Sequence, residues 1–294
     1  MRITESIKRY RSSYKNWLYV LYAMKRAVDP IRCVLWDGKE ILIEHDLAAS
    51  LTHFLHSVWL KTTDVPFLLS SGVMKFNYQN IDLKMKIMEV GSNKLQINGD
   101  LVQVFHGDEY KFLCSNGANI GDTAVYFAIN GAEKILAIEP YPYSFEMAQY
   151  NIINNGFQDR IQLLQSGYGK DREIYVKNSI TNVGTNLMED DDTGVKVPIM
   201  SLKRILQLAS FGGNSKINLK VDCEGCEYQM LEEDPETLSI FERIQIEYHY
   251  GTKELDKLLT SLGYKVNITG PYKNYNPNSS DPHMQTGFIY AQKR

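Results

Sequence analysis

Apolar positions near the start of the chain recur at helical spacing, at Ile7, Tyr14, Trp17, Leu18, Leu21 and Met24, and predict a basic amphipathic helix within residues 1–28. The apolar stretch Ile31 to Ile43 is interrupted by Asp37-Gly38, a pairing that marks a hairpin turn. A helix is expected over about 46–60, with Leu51, Phe54, Leu55, Val58 and Trp59 on one side. Short strands are expected near 83–90, 93–98 and 101–105, separated by Gly91-Ser92-Asn93 and Asn98-Gly99-Asp100. Residues 1–105 therefore read as an α+β extension with no catalytic constellation.

From about residue 110 the pattern changes to alternating strands and helices. Strands are expected at Phe112 to Cys114, Lys134 to Ile138, Ile161 to Leu164, Ile217 to Val221 and Ile244 to Tyr248. Helices are expected at Gly121 to Ile129, Ser144 to Asn155 and 252–261, with a helical start at Tyr228 to Leu231. The segment Val197 to Leu208 begins as a strand and becomes a helix capped by Ser201. Such alternation means crossover units and a largely parallel sheet, so residues 106–294 form an α/β domain. Two last strands, 264–268 and 287–291, would close one edge as an antiparallel pair.

Composition narrows the class. The 294 residues are 44% hydrophobic and 23% charged, an ordinary globular balance. The formal net charge of −3 argues against an overall electrostatic grip on nucleic acid, and no nucleic-acid partner is expected. Charge is uneven: residues 1–28 carry seven basic groups and one acid, +6, which leaves −9 for the rest. That segment reads first as a docking helix with a solvated basic face, and second as a helix that meets an anionic membrane surface. No apolar run reaches the roughly 20 residues of a membrane span. An eight-residue apolar run, Trp17 to Met24, lacks a following small-residue cleavage site, so a cytoplasmic, reducing setting is expected. The acidic run Glu189 to Asp192 reads as a solvated loop, and no metal site is expected.

Four groups of residues carry candidate chemistry. The segment Asn116-Gly117-Ala118-Asn119-Ile120-Gly121 lies at a strand-to-helix turn, where glycines and free N–H groups permit close ligand approach. Its G-x-x-x-G spacing differs from the dinucleotide loop. Glu139 follows Gly117 by 22 residues and ends the next strand, a position from which a carboxylate can bind both ribose hydroxyls. Asp222 and Glu224 end the strand at 217–221, and either could serve as base, hydroxyl orienter or helix cap. Glu247 and His249 end the strand at 244–248, and His249 is a natural proton acceptor near neutral pH. The C-x-x-C pair Cys223 and Cys226 reads as neither redox pair nor zinc site, because flanking acids disfavour thiolate and two further ligands are lacking.

Taken together, Gly-Ala-Asn-Ile-Gly-Asp (117–122), Ile-Glu-Pro (138–140), Asn154-Asn155-Gly156, Asp-x-Glu-Gly-x-Glu (222–227) and Ile-Glu-Tyr-His (246–249) resemble the FkbM family of S-adenosylmethionine-dependent methyltransferases. The resemblance covers about 100–294 and makes 106–294 a methyltransferase domain. It implies a Rossmann-like, seven-stranded sheet with S-adenosylmethionine in the crevice. Gly117, Ala118, Asn119 and Gly121 would line its methionine and ribose portion, Glu139 would hold the ribose hydroxyls, and Pro140 and Tyr141 would lie near the adenine. It also implies O-methylation of a sugar, glycan or related small natural product.

One position departs from the family pattern. Ser115 stands where an acid usually helps to place the methionine end of the cofactor. Ser115 can still hydrogen-bond but brings no charge, and a charged hydrogen bond is worth roughly 1.5–3 kcal/mol. A catalytically weak, methyltransferase-like binding or scaffold protein is therefore the alternative reading. If the chain is an enzyme, Asp222 or His249 is expected to act as base, with Glu224 positioning the acceptor.

Overall fold

The structure, a computed structural model, describes residues 3–57, 65–87, 101, 104–105, 121–176, 194–209, 211, 216–272 and 285–294. The chain divides into two compact units, Met1–Gly107 and Asp108–Arg294.

The first unit opens with two helices, α1 (Ile3–Ser13) and α2 (Trp17–Lys25), where the sequence suggests one. The break has a clear cause. Tyr14 turns into the core with no exposed surface, and Asn16 ties the chain to the following hairpin by donating to the Arg32 carbonyl and accepting from the Val34 N–H. That hairpin, β1 (Ile31–Val34) and β2 (Glu40–Ile43), turns at Asp37-Gly38 as expected. Helix α3 (His45–Ser57) buries Leu47, Ala48 and Leu51, and α4 (Val65–Ser71) leads to a second hairpin, β3 (Val73–Tyr78) and β4 (Ile81–Lys86). Its two-residue turn, Gln79-Asn80, has positive φ at both positions (49° and 65°), as hairpin twist requires. Leu101, Val104 and Phe105 are buried and helical, which corrects the strand expected at 101–105. The strands expected at 93–98 and 112–114 lie outside the described residues.

The second unit is α/β. Helix α5 (Asp122–Ile129) precedes β5 (Ile135–Ile138), helix α6 (Pro142–Asn154) and β6 (Ile161–Leu164), and β5 pairs with β6 in parallel. A small mixed sheet joins β7 (Gly167–Tyr168), β9 (Val195–Met200) and β8 (Arg172–Val176) in that order. Helix α7 (Leu202–Leu208) is capped by Ser201, as the sequence suggests. Then come β10 (Ile217–Val221), a 3-10 helix (Cys226–Glu232), α8 (Pro235–Leu238), β11 (Phe241–Tyr248), α9 (Leu255–Ser261), β12 (Tyr264–Tyr272) and β13 (Thr286–Lys293). They build a four-stranded sheet in the order β10-β11-β13-β12. Strands β10 and β11 run parallel, and β13 pairs antiparallel with β11 and β12, as expected of the chain's end. The seven-stranded sheet implied by the resemblance is not what the described residues form; they form several small sheets.

A large apolar cluster joins several strands of this unit. Leu136 and Ile138 of β5 share it with Leu219, Val221, Ile244 and Ile246 of β10 and β11. The alternating pattern of strands β10 and β11 thus places one set of side chains in this cluster and turns Lys220, Gln245 and Glu247 to the other face, where Lys220 and Gln245 are buried as well. A cavity of about 680 Å³ lies against β5 and β10, lined in part by Ile135, Leu136, Ile217 and Leu219.

Helix α5 begins at Gly121, whose φ of +80° favours glycine. A Cβ there would lie 3.1 Å from Ala148 Cα on α6. Gly121→Ala is expected to cost about 1–2 kcal/mol from the left-handed backbone alone, with more from the clash, read as a lower urea midpoint.

Candidate active site

The parallel strands of each sheet present their C-terminal ends on one edge, and the chemistry-bearing residues lie there. At the end of β5, Glu139 is buried (7% exposed), donates its N–H to the Leu164 carbonyl (3.0 Å) and accepts from the Tyr141 N–H through Oε1 (3.0 Å). Pro140 follows, and Tyr141 packs against Ile174, Val176, Val197 and Ile199. Ser166, two residues past the end of β6, is fully buried, and its hydroxyl has no hydrogen-bond partner among the described residues. Gly121 starts α5. Ser115, Gly117, Ala118 and Asn119 lie outside the described residues.

The second cluster joins β10 to β11. Asp222 follows β10 and accepts from Nζ of Lys220 (2.9 Å), a lysine with a side chain only 2% exposed. Burial would raise the Asp222 carboxyl pKa, but Lys220 and His249 outweigh it and hold the group below the usual carboxylate range. His249 follows β11 and lies between two acids. Its backbone N–H donates to Glu227 Oε1 (2.9 Å), its Nδ1 lies 3.2 Å from the same oxygen, and its Nε2 lies 3.4 Å from Glu224 Oε2. Burial alone would lower its pKa; Glu227, Glu224 and Asp222 instead raise it to about 9. At neutral pH the imidazole is a cation with both ring nitrogens donating.

Glu227 is the residue that sequence reasoning passed over, although it stands in the quoted Asp-x-Glu-Gly-x-Glu segment. It is fully buried and also accepts from the Gly225 N–H (2.7 Å). Lys220 was missed because a lysine inside a strand reads as an exposed position; here it is the counter-ion of Asp222.

The loop between these groups corrects the reading of its cysteines. Cys223 and Cys226 form a disulfide, with Cα atoms 5.4 Å apart. Glu224 (φ 53°) and Gly225 (φ 119°) both adopt left-handed backbone, which folds the loop tightly enough to join the sulfurs. The flanking acids bear on thiolate formation and do not oppose a bond already made. Glu224 is thereby carried on a closed loop toward His249. Farther along, Nζ of Lys253 lies 4.1 Å from the Tyr228 ring centroid and 5.1 Å from that of Tyr250. Among the described residues, no group of three or more His, Cys, Asp and Glu is placed to hold a metal ion.

The model of the methyltransferase FkbM domain matches residues 116–266, half of the chain. The chain belongs to the FkbM methyltransferase family. It is an S-adenosylmethionine-dependent methyltransferase. No curated protein matches it. Among solved structures, it is similar to a transferase from Pyrococcus horikoshii at 17% identity and a TM-score of 0.40, covering 76% of this chain and 72% of the other. It is similar to the FkbM methyltransferase from Methylobacillus flagellatus KT at 16% identity and a TM-score of 0.39, covering 64% of this chain and 47% of that one. It is also similar to M. capricolum TrmK, solved with S-adenosylhomocysteine, at 14% identity and a TM-score of 0.38, covering 67% and 69%.

The described residues fit the nucleoside half of this cofactor. Glu139 offers a carboxylate for a vicinal diol, and the Ser166 hydroxyl past the end of the neighbouring strand is a buried polar atom with no hydrogen-bond partner among the described residues. No helix among the described residues is long and apolar enough to cross a membrane.

Proposed function

We propose that this methyltransferase modifies a hydroxyl oxygen of a sugar, glycan or other small natural product. The observation that carries the reading is the cluster at the ends of β10 and β11: an ionised Asp222 flanked by the Lys220 ammonium and the His249 imidazolium, with Glu224 beside them. A hydroxyl acceptor needs an anion to receive its proton and donors to hold its oxygen, and this cluster offers both. A negative remainder outside residues 1–28 disfavours a polyphosphate acceptor.

S-adenosylmethionine supplies an electrophilic methyl bound to a sulfonium. The chain supplies orientation and proton handling. Glu139 would hold the ribose hydroxyls, with Pro140 and Tyr141 toward the adenine, and Gly121 would lie toward the methionine end, where the resemblance also assigns Ser115, Gly117, Ala118 and Asn119, which lie outside the described residues. Asp222 accepts the acceptor's proton. His249, charged near neutral pH, is a donor in this reading, so the base role that the sequence leaves open between the two falls to Asp222. Glu224 positions the acceptor, and Glu227 is a positioning residue for His249.

The seven-stranded sheet belongs to the same reading. The order β6-β5, one further strand, then β10-β11-β13-β12 would give seven.

Calorimetric titration with S-adenosylmethionine and S-adenosylhomocysteine tests the cofactor site. Micromolar binding is expected. Glu139→Ala should weaken it about 10–150-fold, the worth of one charged hydrogen bond. Glu139→Gln retains an acceptor for the Tyr141 N–H and separates lost charge from lost structure. No binding at millimolar ligand would favour the scaffold alternative that Ser115 raises. An acceptor screen that finds turnover only on RNA would overturn the small-molecule reading.

A further inference from the structure

The first unit exposes an apolar and basic stripe that the methyltransferase chemistry does not use. Lys15, Leu18, Tyr19, Tyr22, Lys25 and Arg26 recur at helical spacing along α2 and its two ends, and all six are exposed. Leu18 is 67% exposed and Tyr22 58%, while Val20 and Ala23 on the opposite side are fully buried. The helix therefore has a face committed to the core and a second apolar face left in water. The guanidinium of Arg26 lies 5.8 Å from the Tyr22 ring centroid. The stripe continues onto the hairpin: α2 lies against β1, where Arg32 pairs across the strands with Leu42, itself 68% exposed.

The charges sort the occupant. Cations stand at both ends of the apolar centre, Lys15 at one and Lys25 and Arg26 at the other. None of the three has a carboxylate partner among the described residues. Arg32 is paired with Glu40, so the stripe keeps a net positive charge. The acids nearest in sequence are turned to backbone work: Asp29 accepts from the His45 N–H and Asp37 from the Lys39 N–H. A second copy docked about a two-fold axis would set these cations against their own images. RNA would use the cations and rings but leave Leu18 and Leu42 without a purpose. An anionic lipid surface uses every part: aliphatic groups enter the acyl boundary, tyrosines lie at headgroup level, and long basic side chains reach the phosphates.

We propose that α2 and the β1–β2 hairpin dock the chain on an anionic membrane surface, with the helix lying in its plane. The inference stands on the first unit alone and does not depend on the acceptor. The test is co-sedimentation of the full chain with phosphatidylcholine–phosphatidylserine vesicles, against pure phosphatidylcholine vesicles and against a single-stranded RNA oligonucleotide. Binding to the anionic vesicles alone is expected. Leu18→Glu with Tyr22→Glu should abolish it, and Lys25→Glu with Arg26→Glu should weaken it about tenfold or more. Circular dichroism checks that the exposed substitutions leave the fold in place. No binding to the anionic vesicles overturns the proposal, as does binding that both double variants leave unchanged. RNA binding lost in the same variants without vesicle binding overturns it too, as does a dimer in light scattering that Leu18→Glu with Tyr22→Glu dissolves.

Discussion

Replacing Glu227 by alanine should cost about 3–5 kcal/mol of stability, the penalty for stripping a buried charge of its partner. Glu227 is fully buried and accepts from the His249 N–H, the Gly225 N–H and the imidazole Nδ1–H. Alanine would leave an imidazolium facing a void and two amides without acceptors. Glu227→Gln keeps an oxygen in place and should cost less. The same pair sets a pH dependence. His249 titrates near 9 in the folded protein against about 6.5 when unfolded, so the folded state holds its proton more tightly. That contribution is complete below about pH 6.5 and is lost as pH rises through about 9, a change of up to about 3 kcal/mol. The groups facing the ring are Glu224, Glu227 and Asp222, which is itself paired with Lys220. Urea midpoints measured from pH 6 to pH 9.5 should fall in the native protein and fall less in Glu227→Ala. An alanine variant with native midpoints and native slope would show that the pair does not hold the ring.

Elements whose side chains signal their own conformation were legible. Asp37-Gly38 fixed the first hairpin, Ser201 capped its helix, and the 264–268 and 287–291 segments paired as antiparallel neighbours. The second hairpin escaped notice because Gln79-Asn80 lacks the glycine that usually marks two positive φ values. The break between α1 and α2 was hidden for a different reason: Tyr14 continues the helical pattern in sequence, and only the bonds of Asn16 to β1 reveal the turn. The site divides the same way. Asp222, Glu224, Glu139 and His249 were visible as polar residues ending apolar strands. The charge state of His249 was not, because it depends on Glu227 reaching back 22 residues across the strand ends. The disulfide was unreadable for a related reason, since it rests on two left-handed residues, one of them a glutamate.

Asp222→Asn should lower turnover about 10²–10⁴-fold on whatever acceptor a screen identifies, the usual worth of a positioned proton acceptor. The choice of asparagine matters. Lys220 is buried against Asp222, so alanine would leave its ammonium without that partner and confuse lost chemistry with lost stability. Asparagine keeps an oxygen for Nζ while removing the charge that receives a proton. The expected pattern is a fall in kcat with cofactor affinity unchanged, because Glu139 and Ser166 lie at the ends of the other strand pair. The pH profile sharpens the assignment. Asp222 is held below the usual carboxylate range by Lys220 and His249 against the opposing effect of burial, so it stays ionised through neutral pH and should impose no acid limb near pH 6. A rise in kcat through pH 6–7 would instead belong to a group with an ordinary imidazole pKa, and would take the base role away from Asp222. Loss of activity above about pH 9, where His249 gives up its proton, would place the imidazolium among the groups that hold the acceptor oxygen. Near-native turnover in Asp222→Asn, with the fold intact, would remove this carboxylate from the reaction and leave it as the counter-ion that keeps Lys220 inside the sheet.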